Sequence, residues 1–321
     1  MNFSKPIITD NRNMRRDVKE IDKYFFELYN ELDKLPKQDN IVVDKDIVDF
    51  VPCPVCGSED VGQEFVKCGF IYATCRKCSH MFVQNRIKEQ VLLGLYSSSK
   101  ADSIANQVSM SSAYTQYWGA VYKKYIDYVA TLDLENKNLL DVGCGAGFFL
   151  NTASKYTDMD LYGLDFREDS YDYIVNIIGE KNYYYRQRIE DIDFGSKKFG
   201  LITLWGVLEH VVDPVSVVTK CSSVLAEGGM ILFLFPNPNS RAIKILGINT
   251  PTLNPRSHVN MYSEKSFRVL CDKLGLGIVD RFQELPVIDL MYPYIHYTDQ
   301  FVEDLVHSYQ CYYDVYVVKA R

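Results

Sequence analysis

Three glycines on alternate residues are the part of this 321-residue sequence best suited to binding a ligand. Gly143, Gly145 and Gly147 follow a short apolar run that ends at Asp141, and a helix-like stretch, 148–156, comes next. Glycine adopts positive φ readily and lets a ligand approach the backbone without a Cβ in the way. Unpaired N–H groups at the start of a helix attract a negatively charged group. The spacing therefore predicts a nucleotide-like ligand over a strand-to-helix turn.

An acid further along the chain fits the same class of ligand. Asp165 ends a second apolar stretch and lies 22 residues after Gly143, where its two oxygens can grip a ribose hydroxyl pair. NAD and S-adenosylmethionine both use these two features. The glycines here fall on alternate residues and so differ from the dinucleotide fingerprint GxGxxG. The sequence also lacks the P-loop pattern GxxxxGK[ST].

Two CxxC pairs, Cys53/Cys56 and Cys75/Cys78, indicate a metal site. Two such turns offer four thiolates in a tetrahedral array, which suits Zn²⁺. The 18 residues between Cys56 and Cys75 are typical of a zinc ribbon. The alternatives are four metal-free thiols or a redox pair, although a redox pair normally needs one CxxC. Cys68 and His80 are possible substitute ligands.

Composition limits the partners and the compartment. The formal net charge of −7 argues against a dedicated nucleic-acid binder. Nine cysteines, an odd number, are typical of a reduced compartment. Residues 1–16 lack the apolar core of a signal peptide, and the longest apolar run, 230–235, is far below the ~20 residues that span a bilayer. We expect a cytoplasmic protein with no membrane insertion.

The elements that position these residues follow from periodicity. Strands are predicted at 138–142, 160–164, 200–205, 229–235 and 311–319, with helical stretches between the earlier ones, which indicates a parallel α/β sheet. Helical spacing at 17–35 predicts an amphipathic helix that packs within the chain or forms a dimer. A second helical pattern, 114–129, has an aromatic stripe that fits a lid or a core. The stretch 96–107 is predicted to be a flexible connection.

Four parts are therefore predicted. They are an N-terminal helical segment (1–50), a zinc ribbon (51–95), a helical linker or lid (96–135) and an α/β domain (136–321).

Five ordered motifs between 136 and 320 resemble the class I S-adenosylmethionine-dependent methyltransferases. Residues 141–147 resemble the first motif, DxGxGxG, and 161–165 the second; 189–191 resemble the acidic turn that contacts adenine, 204–214 the "LEHxxDP" segment, and 225–229 the "LxPGG" turn. The resemblance implies a Rossmann-like fold, with a seven-stranded, mostly parallel sheet and helices on both faces. It also implies S-adenosylmethionine as cofactor, held by Asp141, Gly143, Cys144, Gly145, Gly147, Asp165, Phe166, Glu190, Asp191, Leu204 and Trp205.

Within this class, the sequence is similar to a bacterial branch that carries an N-terminal zinc ribbon and is associated with sugar and cell-envelope modification. Residues 75–87 look like the second half of that ribbon, and 254–263 resemble its "HxxxF[ST]" segment, with Tyr262 in place of Phe. The resemblance implies a small-molecule or saccharide acceptor. Sugar C-methyltransferases share part of this segment but have an acid and a histidine where this chain has Ser257 and Arg256, so C-methylation is less favoured.

Methylation of an alcohol oxygen needs a general base, and histidine is the usual choice. His210 and His258 follow the fourth and fifth strands, at the sheet edge where ligands bind. We predict His258 as the base, with His210 second; Tyr262 either orients the acceptor or only packs. A structural role is the alternative for each histidine. Glu209, with a nearby acid, is a candidate ligand for a divalent cation.

Two other functions stay open at this point. One is an RNA methyltransferase that uses the ribbon to hold rRNA or tRNA. The other is a non-catalytic S-adenosylmethionine-binding partner that docks through the helix at 17–35.

Overall fold

Strands and helices alternate along most of the chain in the computed structural model, which describes residues 21–109, 112–285 and 298–321. The strands are β1 (Val48–Phe50), β2 (Val61–Lys67), β3 (Phe70–Cys75), β4 (Met81–Val83), β5 (Asn85–Ile87), β6 (Asn138–Val142), β7 (Asp160–Asp165), β8 (Tyr183–Tyr185), β9 (Phe199–Trp205), β10 (Leu225–Pro236), β11 (Asn260–Met261), β12 (Leu276–Glu284) and β13 (Tyr313–Ala320). The helices are α1 (Ile21–Asp33), α2 (Glu89–Ser98), α3 (Lys100–Ser109), α4 (Ser112–Ala130), α5 (Phe148–Tyr156), α6 (Tyr171–Ile178), α7 (Pro214–Val224), α8 (Arg241–Leu246), α9 (Glu264–Lys273) and α10 (Asp299–His307).

The largest sheet has seven strands in the order β12–β13–β10–β9–β6–β7–β8. Neighbouring strands from β10 to β8 are parallel, and β13 runs antiparallel to both of its neighbours. The predicted α/β architecture with a seven-stranded, mostly parallel sheet is confirmed. Because the parallel strands all point the same way, their carboxyl ends and the loops that follow them lie along one edge.

Both faces of this sheet are covered. Strand residues such as Leu139 and Leu201 pack with α4, α5 and α6, while their neighbours Leu140 and Ile202 pack on the opposite face with α7 and α9. Alternation of side chains along a strand explains why adjacent residues enter different clusters. Apolar residues at every position of a strand are the pattern expected for a sheet buried on both sides.

The ribbon-like part (48–87, with strands β1–β5) carries the four CxxC cysteines. It is joined to the large sheet through a second, four-stranded sheet, β11–β4–β3–β2. Here β11, which belongs to the segment after β10, pairs antiparallel with β4. Cys53, Val55 and Phe82 share one core cluster with Phe235 and Phe267. The ribbon-like part and the α/β part therefore have a continuous core. β1 pairs with β5, so the predicted helical segment 1–50 ends in a strand that belongs to the ribbon-like part.

The N-terminal helix packs within the chain. α1 covers 21–33 of the predicted 17–35, and 17–20 lie outside the described residues. Its Leu28 and Leu32 are fully buried. Glu31 lies 3.1 Å from the buried Arg256 guanidinium, which also lies 2.5 Å from Asp102 of α3. Whether α1 also contributes to a dimer stays a prediction.

The prediction of a flexible connection at 96–107 was wrong. α2 and α3 occupy this stretch, separated at Ser99. The Ser99 hydroxyl accepts a hydrogen bond from the N–H of Asp102, and Ala101 and Ile104 are buried against the rest of the chain. Serine therefore caps a helix here, as it often does, where the sequence pattern alone favoured a loop.

Every helix in the described ranges is too short or too polar to reach across a lipid bilayer.

Candidate functional site

The three alternating glycines form a tight turn between β6 and α5. Gly143, Gly145 and Gly147 have φ values of +66°, +55° and +76°. A Cβ at Gly143 would lie 2.7 Å from Cγ2 of Val207, whereas at Gly145 it would point into open space. Side chains other than glycine are strained at these φ values. The turn thus leaves open space above Gly145 at the carboxyl edge of the sheet.

Asp165 closes this surface from the neighbouring strand. Its Oδ2 accepts a hydrogen bond of 2.8 Å from the N–H of Gly145, and its Oδ1 accepts one of 2.8 Å from the N–H of Arg167. Burial raises the pKa of this carboxyl group. The carboxylate therefore lies beside the glycine turn, and its contact with a ribose stays a prediction.

Asp141 lies deeper and has a structural environment. It is 1% exposed, and its Oδ1 accepts a hydrogen bond of 2.7 Å from the hydroxyl of Thr203 on β9. Burial, opposed by this hydrogen bond and reinforced by the charge of Asp165, raises the pKa of Asp141 to about 8. Asp141 therefore links β6 to β9 beneath the glycine turn.

The remaining predicted cofactor residues differ in access. The side chains of Cys144 and Leu204 are buried, so only their backbones are available to a ligand. Phe166 is 56% exposed. Glu190 and Asp191 lie in a short 3₁₀ turn (Ile189–Asp191), and Trp205 ends β9.

A cavity of about 200 Å³ lies beside the loop that follows β9 (206–213). Its lining combines aromatic rings with three chemically reactive side chains. The lining residues are Trp118, Tyr122, Trp205, Gly206, Glu209, His210, Leu234, His258 and Tyr313. Val207, between Trp205 and Glu209 in the chain, contacts the glycine turn at Gly143. One loop therefore separates the glycine turn from this cavity.

Glu209, His210 and His258 meet in this cavity. The two imidazole rings have centroids 4.7 Å apart and are nearly perpendicular, at 82°. One ring nitrogen of each histidine and one oxygen of Glu209 lie within 4.8 Å of one another. The sequence predicted both histidines and Glu209 as candidates, and the structure brings these three together.

Burial sets the protonation of two members of this group. Burial, and secondarily the neighbouring His210, lowers the pKa of His258 to about 3. Burial raises the pKa of Glu209 to about 8. His258 is therefore a neutral imidazole at pH 7. Its Nδ1 lies 2.9 Å from the carbonyl oxygen of Thr252, and because a carbonyl accepts only, Nδ1 carries the proton and Nε2 has the lone pair.

Tyr262 lies outside the cavity, so its predicted role in orienting the acceptor needs correction. It is fully buried, and its hydroxyl donates a hydrogen bond of 3.4 Å to the carbonyl oxygen of Leu208. Its ring packs against His80, Phe235 and Phe267. Tyr262 is therefore a core residue that supports the loop bearing the histidines.

Asn260, on β11, joins the two loops that carry these histidines. Its N–H donates to the carbonyl oxygen of Glu209 at 3.1 Å, and its side-chain amide donates to the carbonyl oxygen of Val211 at 2.6 Å. Its Oδ1 accepts a hydrogen bond of 2.8 Å from Arg86 of β5. The cavity is thus positioned partly by residues outside the large sheet.

The four CxxC cysteines form a compact group. Sγ of Cys53 lies 3.5 Å from that of Cys78, and Sγ of Cys56 lies 3.5 Å from that of Cys75. All four sulfur atoms lie within 4.8 Å of one another. Four thiolates about 2.3 Å from a tetrahedral Zn²⁺ would be separated by about 3.8 Å, so these residues fit such an ion.

Tyr313 is the lining residue that sequence reasoning missed. It is the first residue of β13, which is antiparallel to β10 and therefore starts at the edge where β10 ends. An apolar run that ends a chain indicates a strand but not its direction, so this placement had no local signal. Trp118 and Tyr122 belong to the aromatic stripe of α4, and the stripe serves both the core and the cavity.

Comparisons with known proteins agree on one family. The model of a methyltransferase domain matches residues 114–280. The chain is similar to ubiquinone biosynthesis O-methyltransferase of Coxiella burnetii, with 31% identity over 122 residues, which are 37% of this chain and 51% of that protein. It is also similar to the protein of the same name from Neisseria meningitidis, with 28% identity over 168 residues, 48% of this chain and 70% of that protein. The chain thus spans about half the length of the first of these relatives.

Among solved structures, the fold is similar to that of magnesium protoporphyrin IX methyltransferase from Synechocystis with bound S-adenosylhomocysteine. The identity is 12%, the likeness covers 73% of this chain and 100% of that one, and the TM-score is 0.49.

Proposed function

The chain belongs to the methyltransferase-domain family, and we propose that it transfers a methyl group from S-adenosylmethionine to a hydroxyl oxygen of a small-molecule acceptor. The observation that carries this proposal is the placement of Glu209, His210 and His258 in a cavity one loop away from the glycine turn. Methyl transfer requires a donor site and an acceptor site in contact, and that loop is where the two would meet.

The donor site is proposed at the glycine turn. S-adenosylmethionine supplies, when bound, a methyl group attached to a positively charged sulfur. Asp165 offers two carboxylate oxygens to hydroxyl donors, and Gly145 leaves the space above the turn open. Glu190 and Asp191 provide further acceptors on the neighbouring 3₁₀ turn.

The acceptor site is proposed at the cavity. The acceptor oxygen forms a bond to the methyl carbon, the bond from that carbon to sulfur breaks with its electron pair moving to sulfur, and the hydroxyl proton passes to the cluster that contains His258. An alcohol needs this help because its own pKa lies far above neutral. The rings of Trp118, Tyr122 and Tyr313 give the cavity flat walls, which suit a saccharide or another ring-shaped acceptor.

A labelling experiment tests the proposed function. The purified chain is incubated with S-adenosylmethionine labelled in its methyl group and with a panel of monosaccharides, nucleotide sugars and phenols. We expect label in at least one hydroxyl compound and an equal amount of S-adenosylhomocysteine. Label that enters rRNA or tRNA instead of the panel would contradict a small-molecule acceptor.

We further propose that the four CxxC cysteines bind a structural zinc ion. Four thiolates around one ion would hold the two CxxC turns together. Metal analysis of protein purified under reducing conditions should find about one tightly bound zinc per chain. Cys56→Ser should lose it, while Cys68→Ser, in the same segment but outside the group, should keep it. A wild-type protein without zinc would refute the assignment.

A further inference from the structure

We propose that Glu209, His210 and His258 bind a divalent transition-metal ion, separate from the ion of the cysteine group. The proposal deepens the proposed function, because it states how the acceptor hydroxyl is activated. The binding itself does not depend on methyl transfer, so the two can be tested apart.

The donor set is the first argument. Two imidazole nitrogens and one carboxylate oxygen lie within 4.8 Å of one another around a common space. Ligands of a tetrahedral ion about 2.1 Å from each of them would lie about 3.4 Å apart. The three atoms would need to approach one another by at most about 1.4 Å, and His210 is the most exposed of the three residues. Three protein ligands leave a coordination position for a water or a substrate oxygen.

The orientation of His258 is the second argument. Its Nδ1 is bonded to the carbonyl oxygen of Thr252 at 2.9 Å, which fixes the ring and leaves the lone pair of Nε2 for another partner. A ligating histidine commonly donates its other ring N–H to a backbone carbonyl in this manner. The same bond keeps the imidazole in the tautomer that a metal ion requires.

The carboxylate supplies the third argument. Glu209 is 1% exposed, and its Oε2 has no hydrogen-bond partner within the described part of the chain. A buried carboxylate without a partner is costly, and a cation beside it removes that cost. Gly206, with a φ of +66°, allows the loop to turn next to Glu209.

The chemistry of the donors selects the class of ion. Imidazole with one carboxylate favours Zn²⁺, Mn²⁺, Fe²⁺ or Co²⁺ over Mg²⁺ and Ca²⁺, which prefer oxygen ligands throughout. A hydroxyl group coordinated to such an ion loses its proton near neutral pH without a strong base. With the ion bound, the proton leaves to water instead of passing to His258, which acts as a ligand, and the ion keeps its oxidation state.

Cobalt titration of the full chain tests this proposal. The protein is first purified with its cysteine group filled by zinc, and Co²⁺ is then added under anaerobic, reducing conditions. We expect one further equivalent of Co²⁺ to bind, as measured by calorimetry. Its visible absorption should lack the sulfur-to-cobalt charge-transfer bands of a thiolate site. Glu209→Gln and His258→Gln should each weaken this equivalent about 100-fold or more.

Two controls separate ligation from a loss of structure. His307→Gln alters an exposed histidine on α10 that does not line the cavity, and should bind cobalt normally. His210→Gln replaces an exposed ring, so it should weaken cobalt binding without changing the circular dichroism or the S-adenosylmethionine affinity. A wild-type protein that binds no further equivalent, or variants that bind it as tightly as wild type, would overturn the proposal.

The outcomes for the metal and for the proposed function remain distinguishable. Cobalt binding that depends on these three residues, without methyl transfer to any acceptor, would leave the metal site standing and refute the function. If the wild-type protein binds no further equivalent of cobalt and methyl transfer persists unchanged after strong chelation, the metal site is refuted and the proposed function stands.

Discussion

Asp165→Ala is expected to abolish measurable binding of S-adenosylmethionine. The carboxylate is held at the end of β7 by the N–H groups of Gly145 and Arg167, each at 2.8 Å. A hydrogen bond to a charged group contributes about 1.5–3 kcal/mol, so two bonds to ribose hydroxyls correspond to a loss of about 100-fold or more in affinity. The substitution also removes the support of the glycine turn. Calorimetric titration of the purified protein measures the effect.

Two further variants make this result interpretable. Asp160→Ala changes an exposed aspartate at the opposite end of the same strand and should bind the cofactor normally. Asp165→Asn keeps one acceptor oxygen and should fall between wild type and Asp165→Ala. If Asp165→Ala binds with unchanged affinity, the ribose contact lies elsewhere.

His258→Ala is expected to lower the rate of methyl transfer by a factor of about 10² to 10⁴, the usual contribution of a group that handles the proton in the transition state. The His258 ring lies in the cavity beside His210 and not at the glycine turn, so the affinity for S-adenosylmethionine should change little. Single-turnover rates and cofactor binding, measured on the same preparation, separate the two effects.

His307→Ala is the matched control and should leave the rate unchanged. An equal rate in His258→Ala would transfer the role to His210 or to no base at all. A lower rate is expected whether His258 accepts the proton itself or ligates a cation. The cobalt titration, and not this rate, distinguishes those two roles.

Predictions that depended on strongly apolar or glycine-rich stretches were the ones that succeeded for the fold. β6, β9 and β10 are almost continuously apolar and are buried on both faces, which is the condition under which a parallel strand is readable from sequence. The glycine turn was equally readable, because positive φ at three alternate positions restricts the residue type.

β12 was not predicted, because its sequence carries polar residues that are buried in pairs. Arg281 donates to Asp314 of β13 at 3.0 Å, and Gln283 donates to the same carboxylate at 2.7 Å. A pattern of hydrophobic residues cannot reveal a strand whose charges are neutralised by another strand far along the chain. Tyr262 was misjudged for a related reason: its type and position fitted a site, but its burial depends on His80, a residue from a different part of the fold.

The cavity itself could be predicted only in part. Both histidines follow strands that end at the same edge, so their proximity was expectable. The role of β11 was not, since a two-residue strand has no periodicity to detect.

The pairing of β11 with β4 connects the cysteine-bearing part of the chain to the loop that carries Glu209. Asn260 of β11 contacts both Arg86 of β5 and the backbone of Glu209, and this gives a contiguous path along which the two regions could be coupled. Coupling between two sites is reciprocal. If zinc at the cysteines helps to order the cavity, then an acceptor or cation that orders the cavity must tighten zinc by the same factor. The affinity of the cysteines for zinc would then be higher when the acceptor site is filled.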